Sequence, residues 1–482
     1  MFKFSRLPEL IIIGLLLFLI ALFSVQNMQN GHGWGDDFAM YIHHAKNITE
    51  GKAYSETGYI FNDLAPTYSP DHYPPGFPLI LSVVYAIWGL NYDAMHAVLI
   101  FFLIWFLWLI YVLLKNKLPF TFIALIIALI GFSPGAWGLN DEIVSDLPAA
   151  CFGLLFFYVL EKRELLSKGK FILLSAFVAY ISYSIRASGV LLIPSAILVS
   201  FIRNKKADRQ LFFSLLIFAG LAFIQSVVTG GGKGYFYMLQ HGYMHKGNLV
   251  DYWFDIANNY LNAFKYLTYY GDGEHTPVNM FFGNLLFVLF VCGFYLKCRD
   301  KFSSWEIFFI LYFGVLILFP GYQGFRYILP LLPFYLFYIF YVVSKLPFAV
   351  SGMFTGAFIL SMIILYSNFY STIPDKWAHY RMTPPLTFEA FDFIKTRLPE
   401  DVIVMATKPR LVSLYTDKRA VVYPDNPGNS FYENMQDHHV DYIFTSYIDK
   451  YQFPKQQAEA DTSKFQKLFS NEQFAVYKLK NR

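Results

Sequence analysis

The chain has 482 residues, 56% of them hydrophobic and 15% charged, with a formal net charge of +4. Apolar runs of about twenty residues recur almost to residue 368, which excludes an ordinary soluble protein and indicates a polytopic membrane protein. The basic residues lie in short clusters between these runs, and no long basic stripe points to nucleic acid.

Taken in chain order, the runs predict spans at about 9–26, 94–114, 118–133, 143–160, 170–185, 188–202, 210–228, 280–297, 304–320, 327–344 and 347–368. The first run lacks a small-residue cleavage site and reads as a retained span. Residues 74–90 (PPGFPLILSVVYAIWGL) are apolar but short, and they open on prolines. If this segment stays out of the bilayer, Lys3/Arg6, Lys115/Lys117, Lys162–Lys170, Arg203–Arg209, Lys297–Lys301 and Lys345 all fall on one face. If it crosses, every cluster after the first changes side. It therefore reads as an interfacial helix, leaving about eleven spans with the N-terminus in the cytoplasm and the C-terminus outside.

That count creates two long outer segments within a transmembrane part spanning 1–370. Residues 27–92 carry Asp36 and Asp37, and residues 229–279 carry Gly230 to Gly234 with His241, His245 and His275. The glycine cluster lacks the Ser/Thr after Lys233 that a phosphate-binding P-loop needs, so it reads as a hinge. Residues 375–482 alternate helix-like stretches (Thr387–Arg397, Pro409–Tyr415) with strand-like ones (Val402–Ala406, Ala420–Tyr423, Tyr442–Thr445, Ala475–Leu479). This pattern predicts a small extracytoplasmic α/β domain.

Asp36 and Asp37 head the candidate chemistry. Adjacent carboxylates repel, which raises one pKa and suits a general base, while the plain alternative is a solvated loop start. Arg186 and Arg326 sit at outer ends of spans, against the charge rule, and each calls for an anionic partner such as a lipid phosphate; interface snorkelling is the alternative. Asp146, with Asp141 and Glu142, leads the fourth span, where helix capping is the simpler role. His43, His44 and His72 also fall on the outer side, and His241 and His245 have i,i+4 spacing. A divalent metal is compatible with that spacing but is not predicted, and no cofactor is expected. Cys151, Cys292 and Cys298 show no metal spacing and read as small buried hydrophobes. Asn47-Ile48-Thr49 fits a glycosylation sequon, relevant only in a eukaryotic secretory membrane.

On these residues the chain resembles the GT-C superfamily of membrane glycosyltransferases, in the branch of protein O-mannosyltransferases and the lipid A aminoarabinose transferase. That branch often opens its first outer loop as Asp-x-x-x-Tyr-x-x-x-Ala-x-Asn-Leu-x-x-Gly. Asp37, Tyr41, Ala45, Asn47 and Gly51 match, with Ile48 for the leucine. Further matches are Tyr73-Pro74-Pro75 opening the interfacial helix, Ser145-Asp146-Leu147-Pro148, and Arg326-Tyr327 leading to Pro330 and Pro333. The resemblance covers about residues 1–345. Two departures stand out: the acidic neighbour, Asp36, precedes the base position instead of following it, and Tyr73 stands where relatives carry a phosphate-holding lysine.

The resemblance implies a polytopic α-helical enzyme of the bacterial inner membrane. It would move a sugar, with inversion, from a polyprenyl-phosphate-sugar donor to an acceptor hydroxyl or amine on a glycan, lipid or protein. Asp37, backed by Asp36, would be the base, with Arg326, Arg186, Tyr41, Asp146, Tyr73 and Tyr327 in substrate binding. The competing readings are a transporter or flippase of lipid-linked sugars and a GT-C polymerase or ligase using a lipid-linked oligosaccharide. Transporters bury ionisable groups at mid-membrane, whereas the polar residues here gather at the outer rim.

Overall fold

The computed structural model describes residues 7–29, 31–65, 70–230, 240, 243, 248–266, 277–378, 382, 384–424, 430–448 and 452–480. Gly231 to Gly234, His241, His245 and His275 lie outside them, and with them the hinge and the histidine pair expected from sequence. Contacts divide the chain into two units: 1–28 with 96–225 and 245–372, and 29–95 with 226–244 and 373–482. The first outer loop therefore groups with the C-terminal segment, which cuts the chain differently from the boundary near 370 read from composition.

The first unit is helical. Among the described residues, six helices are long and apolar enough to cross a membrane: Leu7–Gln26, Tyr92–Leu114, Ala187–Asn204, Arg209–Thr229, Met280–Lys301 and Phe348–Thr372. They give a multi-pass membrane protein. The expected span at 118–133 is instead Phe120–Gly131 followed by Pro134–Asp141, bent by 48°, and counted as one it makes a seventh. The break falls before Pro134, whose ring sets the N1 position of a new helix capped by the Ser133 hydroxyl. The stretch 327–344 divides similarly into Phe325–Ile328 and Leu332–Val343, around Pro330 and Pro333.

Asp146–Glu161, Lys168–Ile185 and Ser304–Ile317 are helices at the other predicted positions. At 1.5 Å per residue, the 16 residues of Asp146–Glu161 reach only about 24 Å, short of the roughly 30 Å hydrocarbon core. Gly76–Trp88 is a 13-residue helix opening on Pro75, shorter still. Leu249–Tyr266, inside the segment read as a loop, is an 18-residue helix.

The second unit is built on a six-stranded sheet of β1 (Tyr59–Ile60), β2 (Ile403–Ala406), β3 (Arg419–Val422), β4 (Tyr442–Ser446), β5 (Phe465–Ser470) and β6 (Phe474–Leu479). Its order is β1-β3-β2-β4-β6-β5. β1, β3, β2 and β4 run parallel, β6 pairs antiparallel with β4, and β5 pairs antiparallel with β6. Parallel neighbours need a crossover, and the helix Pro409–Thr416 supplies it between β2 and β3. Met405, Val421, Ile443 and Tyr477 are buried at the centre of the core on the sheet. The two-residue β1 lies in the first loop. Pairing of Tyr59 with Ala420 and Ile60 with Val421 ties that loop to the C-terminal sheet, a link that no local pattern in residues 27–92 announces.

Candidate active site

The stretch before the aspartates is fixed by aromatic packing within the second unit. His32 stacks on Phe38 with centroids 3.5 Å apart, and Trp34 packs against Phe474 at 5.2 Å. Helix Asp37–Glu50 then begins with Asp36 at its N-cap position and Asp37 in its first turn, where negative charge is favoured by the helix dipole. Asp37, Tyr41 and Ala45 follow at i, i+4 and i+8 on one face. The Tyr41 ring meets Tyr73 at 5.3 Å and Phe77 at 5.1 Å, edge to face.

Asn47 and Gly51 close this helix, giving the spacing of the first-loop motif a physical reason. Gly51 takes the left-handed cap conformation at φ 67°. Asn47 is fully buried, and its Nδ2 donates to the carbonyls of Ala53, Tyr54 and Glu56 at 3.2, 3.4 and 2.9 Å. An amide used in this way is not available to a glycosylating enzyme, so the sequon match has a structural origin. Tyr54, held by that loop, stacks flat on His44 at 3.9 Å and donates to the Tyr73 carbonyl at 2.7 Å.

The two aspartates have different surroundings. The Asp36 side chain is 19% exposed, and its Oδ1 accepts the backbone N–H groups of Arg410 at 3.2 Å and Leu411 at 3.3 Å. Those groups lie at the N-terminus of Pro409–Thr416, the helix that follows parallel strand β2, where backbone N–H groups have no partner within the helix's own ladder. Asp36 Oδ2 also lies 3.4 Å from Arg410 Nε. Asp37 is 45% exposed; its Oδ1 accepts from Tyr73 Oη at 3.0 Å and Arg410 Nη1 at 3.2 Å. Burial raises the Asp36 carboxyl pKa, with Arg410 and Lys408 countering and the Asp37 charge a lesser contributor. The expected rise therefore falls on the buried member of the pair, and desolvation causes most of it.

Arg410 is the residue that sequence reasoning missed. It is 5% exposed, donates to Tyr73 Oη as well as Asp37, and faces the rings of Tyr59 and Tyr73 at 5.0 and 5.1 Å. Two carboxylates and two aromatic faces hold it firmly as a cation. Tyr73 thus occupies the motif's lysine position as a neutral donor to Asp37, and burial keeps its phenol protonated. His43 and His44 are buried on the same helix, and burial lowers their pKa values to about 4 and about 3. Both are neutral imidazoles within the fold. Among the described residues, no group of three or more His, Cys, Asp or Glu is placed to hold a metal.

The first unit assembles the other predicted residues. Asp146, 2% exposed, lies 3.0 Å from Arg186 Nη1 through one oxygen and 3.2 Å from Arg326 Nε through the other. The helix cap is Ser145, and Asp146 occupies the first helical position with its carboxylate shared between the arginines. This pairing displaces the capping reading. The Arg186 guanidinium sits over the Tyr327 ring at 4.5 Å, and its Nη1 reaches Ser145 Oγ at 3.5 Å. One carboxylate thus holds two guanidinium groups side by side, fixed by packing and charge.

No protein-family model matches the chain, and no curated protein matches it in sequence. Solved structures do match. The ArnT of Cupriavidus metallidurans bound to undecaprenyl phosphate is 11% identical, with a TM-score of 0.58 over 97% of this chain and 97% of that one. Its apo form gives 0.56 over 98% of each at 11% identity. The archaeal oligosaccharyltransferase AglB of Archaeoglobus fulgidus, in complex with an inhibitory peptide and a dolichol-phosphate, gives 0.58 at 13% identity. That match covers 92% of this chain and 70% of that one. Both proteins are GT-C membrane glycosyltransferases, and the chain shares their fold, in agreement with the resemblance read from its sequence.

Proposed function

We propose that the protein is an inverting glycosyltransferase taking its sugar from a polyprenyl-phosphate-sugar lipid and working on the extracytoplasmic side of about eleven spans. The observation that carries this reading is the unequal treatment of the two aspartates. Asp36 is locked onto a helix N-terminus, which leaves Asp37 as the more open carboxylate, aimed by Tyr73 and Arg410. In this role Asp37 takes the proton of an acceptor hydroxyl or amine as that atom bonds to the anomeric carbon. The bond from that carbon to the phosphate oxygen breaks on the opposite face, the phosphate leaves with the electron pair, and the configuration inverts. A phosphate leaving group needs charge stabilisation and no general acid. Arg326 and Arg186 have the chemistry for that task, with Asp146 and Tyr327 holding them in place. A glycan, a lipid or a protein can serve as the acceptor.

The undecaprenyl phosphate bound to ArnT and the dolichol-phosphate bound to AglB support a polyprenyl phosphate as the carrier of the donor sugar. Lipid analysis of cells lacking the protein tests the proposal. A transferase leaves its sugar-phosphate lipid unused and exposed on the outer leaflet. Accumulation on the inner leaflet identifies a flippase and refutes the proposal.

A further inference from the structure

The helical unit contains a polar cavity at the opposite end of Asp146–Glu161 from the Asp146 cluster, about 22 Å along the helix axis. Its volume is about 560 Å³, within the range of about 300–1,000 Å³ usual for small-ligand sites. It opens where several helices end or begin, among them Asp146–Glu161, Leu192–Asn204, Arg209–Thr229, Pro277–Lys301 and Ser304–Ile317.

The charges lining it do not balance. Glu161 accepts from Lys117 Nζ at 2.7 Å, and Asp208 pairs with Arg163. Glu306 accepts from Tyr338 Oη at 2.7 Å and closes a capping box with Ser303. Each acidic group therefore already has a donor. Arg203, Lys297 and Lys301 remain, and among the described residues none of the three forms an ion pair; Lys297 only faces the Tyr341 ring at 5.0 Å. The same lining carries Phe157, Leu160, Val199, Leu211 and Trp305 beside the polar Ser200, Asn204, Ser303 and Ser304. Cations without acidic partners together with apolar side chains, at the ends of apolar helices, suit an amphiphile with an anionic head better than a soluble anion.

We propose that this cavity binds the phosphodiester headgroup of an anionic phospholipid, with Arg203, Lys297 and Lys301 on the phosphate oxygens and apolar lining residues such as Leu160, Val199 and Leu211 against the first methylenes of its acyl chains. This assignment is independent of the transfer reaction. The test is native mass spectrometry of the purified full-length protein equilibrated with equal amounts of phosphatidylglycerol and phosphatidylcholine. The protein is expected to retain phosphatidylglycerol preferentially. The combined Arg203→Gln, Lys297→Gln and Lys301→Gln variant loses that preference on the order of a hundredfold, three contributions of roughly fivefold each. Lys168→Gln with Lys170→Gln, basic positions outside the cavity, leaves it unchanged. Equal loss in both variants, or displacement of the lipid by excess inorganic phosphate, overturns the proposal. If the triple variant does not fold, the three single variants decide, and full retention in all of them also overturns it.

Discussion

Arg410 donates its Nη1–H to Asp37 Oδ1 at 3.2 Å while its Nε lies 3.4 Å from Asp36 Oδ2. One buried guanidinium thus serves as counter-ion to both carboxylates and favours their ionised forms. Removing it in Arg410→Gln raises the apparent pKa of the aspartate pair. The acidic limb of kcat/KM then moves to higher pH, by about one unit or more. Arg410→Lys keeps the charge but not the fork, and should restore the pH profile more than the rate. The profiles of both variants with a polyprenyl-phosphate-sugar donor check this; an unmoved acidic limb counts against it.

Asp36 and Asp37 should separate stability from rate. Asp36→Asn removes a partner from a largely buried ion pair and is expected to cost about 3 kcal/mol, read as a lower melting temperature in detergent. Asp37→Asn, at a site 45% exposed, should melt near wild type yet lose about a hundred- to ten-thousandfold in kcat. If both asparagine variants keep near-full transfer in a purified assay, the base assignment is wrong.

How far sequence could reach is clear from the same residues. Asp37, Tyr41, Asn47 and Gly51 stood out through the first-loop motif, and their placement in the helix is local: a first-turn acid, an i+4 face, a buried amide on the following loop and a left-handed cap. Four of the C-terminal strands were legible as short apolar runs between turns. Arg410 was not, because its carboxylate partners lie more than 370 residues earlier in the chain and meet it only through the fold. One signal was present. A cation directly after Pro409, in the first turn of a helix, opposes the helix dipole and implies an acidic partner. β1 has two residues and owes its conformation to β3, so no propensity reveals it. The broken helix at Ser133 was marked by Pro134, which the hydropathy reading of 118–133 passed over.

The Asp146 cluster gives a prediction of a different kind. In the proposed role Arg326 binds the donor phosphate, so Arg326→Gln should raise the KM for lipid donor by roughly ten- to a hundredfold. Asp146→Asn leaves two adjacent guanidinium groups without their carboxylate and should act mainly on stability, by about 3 kcal/mol or more. Steady-state kinetics with varied donor, set beside melting curves, separate the two effects. An unchanged donor KM in Arg326→Gln removes this arginine from the phosphate role.

Acid should weaken the second unit through its histidines. His43 and His44 titrate near 6.5 when unfolded and at about 4 and about 3 in the fold, because burial penalises the imidazolium. Between those limits the unfolded chain binds protons that the native state refuses, so their stabilising contribution, complete above pH 6.5, is lost as pH falls. At 1.36 kcal/mol per unit, going from about pH 6.5 to about pH 5 costs roughly 2 kcal/mol for each fully buried histidine. Thermal inactivation measured across that interval should accelerate toward acid, and His43→Gln should flatten the slope. An equally steep slope in the variant assigns the effect to other groups.

Chelation addresses the counter-ion directly. A divalent cation recruited by Asp36 and Asp37 has to displace a guanidinium that is 5% exposed and bound to both carboxylates, to the Tyr73 hydroxyl and across two aromatic rings. It also has to coexist with Arg410, whose charge repels it. Transfer by the wild-type protein should therefore stay within about twofold when EDTA is added, since fixed cations already supply the charge stabilisation. Arg410→Gln vacates that position and leaves adjacent carboxylates, an arrangement that favours oxygen-binding cations. In that variant, added Mg²⁺ or Mn²⁺ should recover part of the lost rate, whereas EDTA-sensitive transfer by the wild type would show that Arg410 is not the working counter-ion.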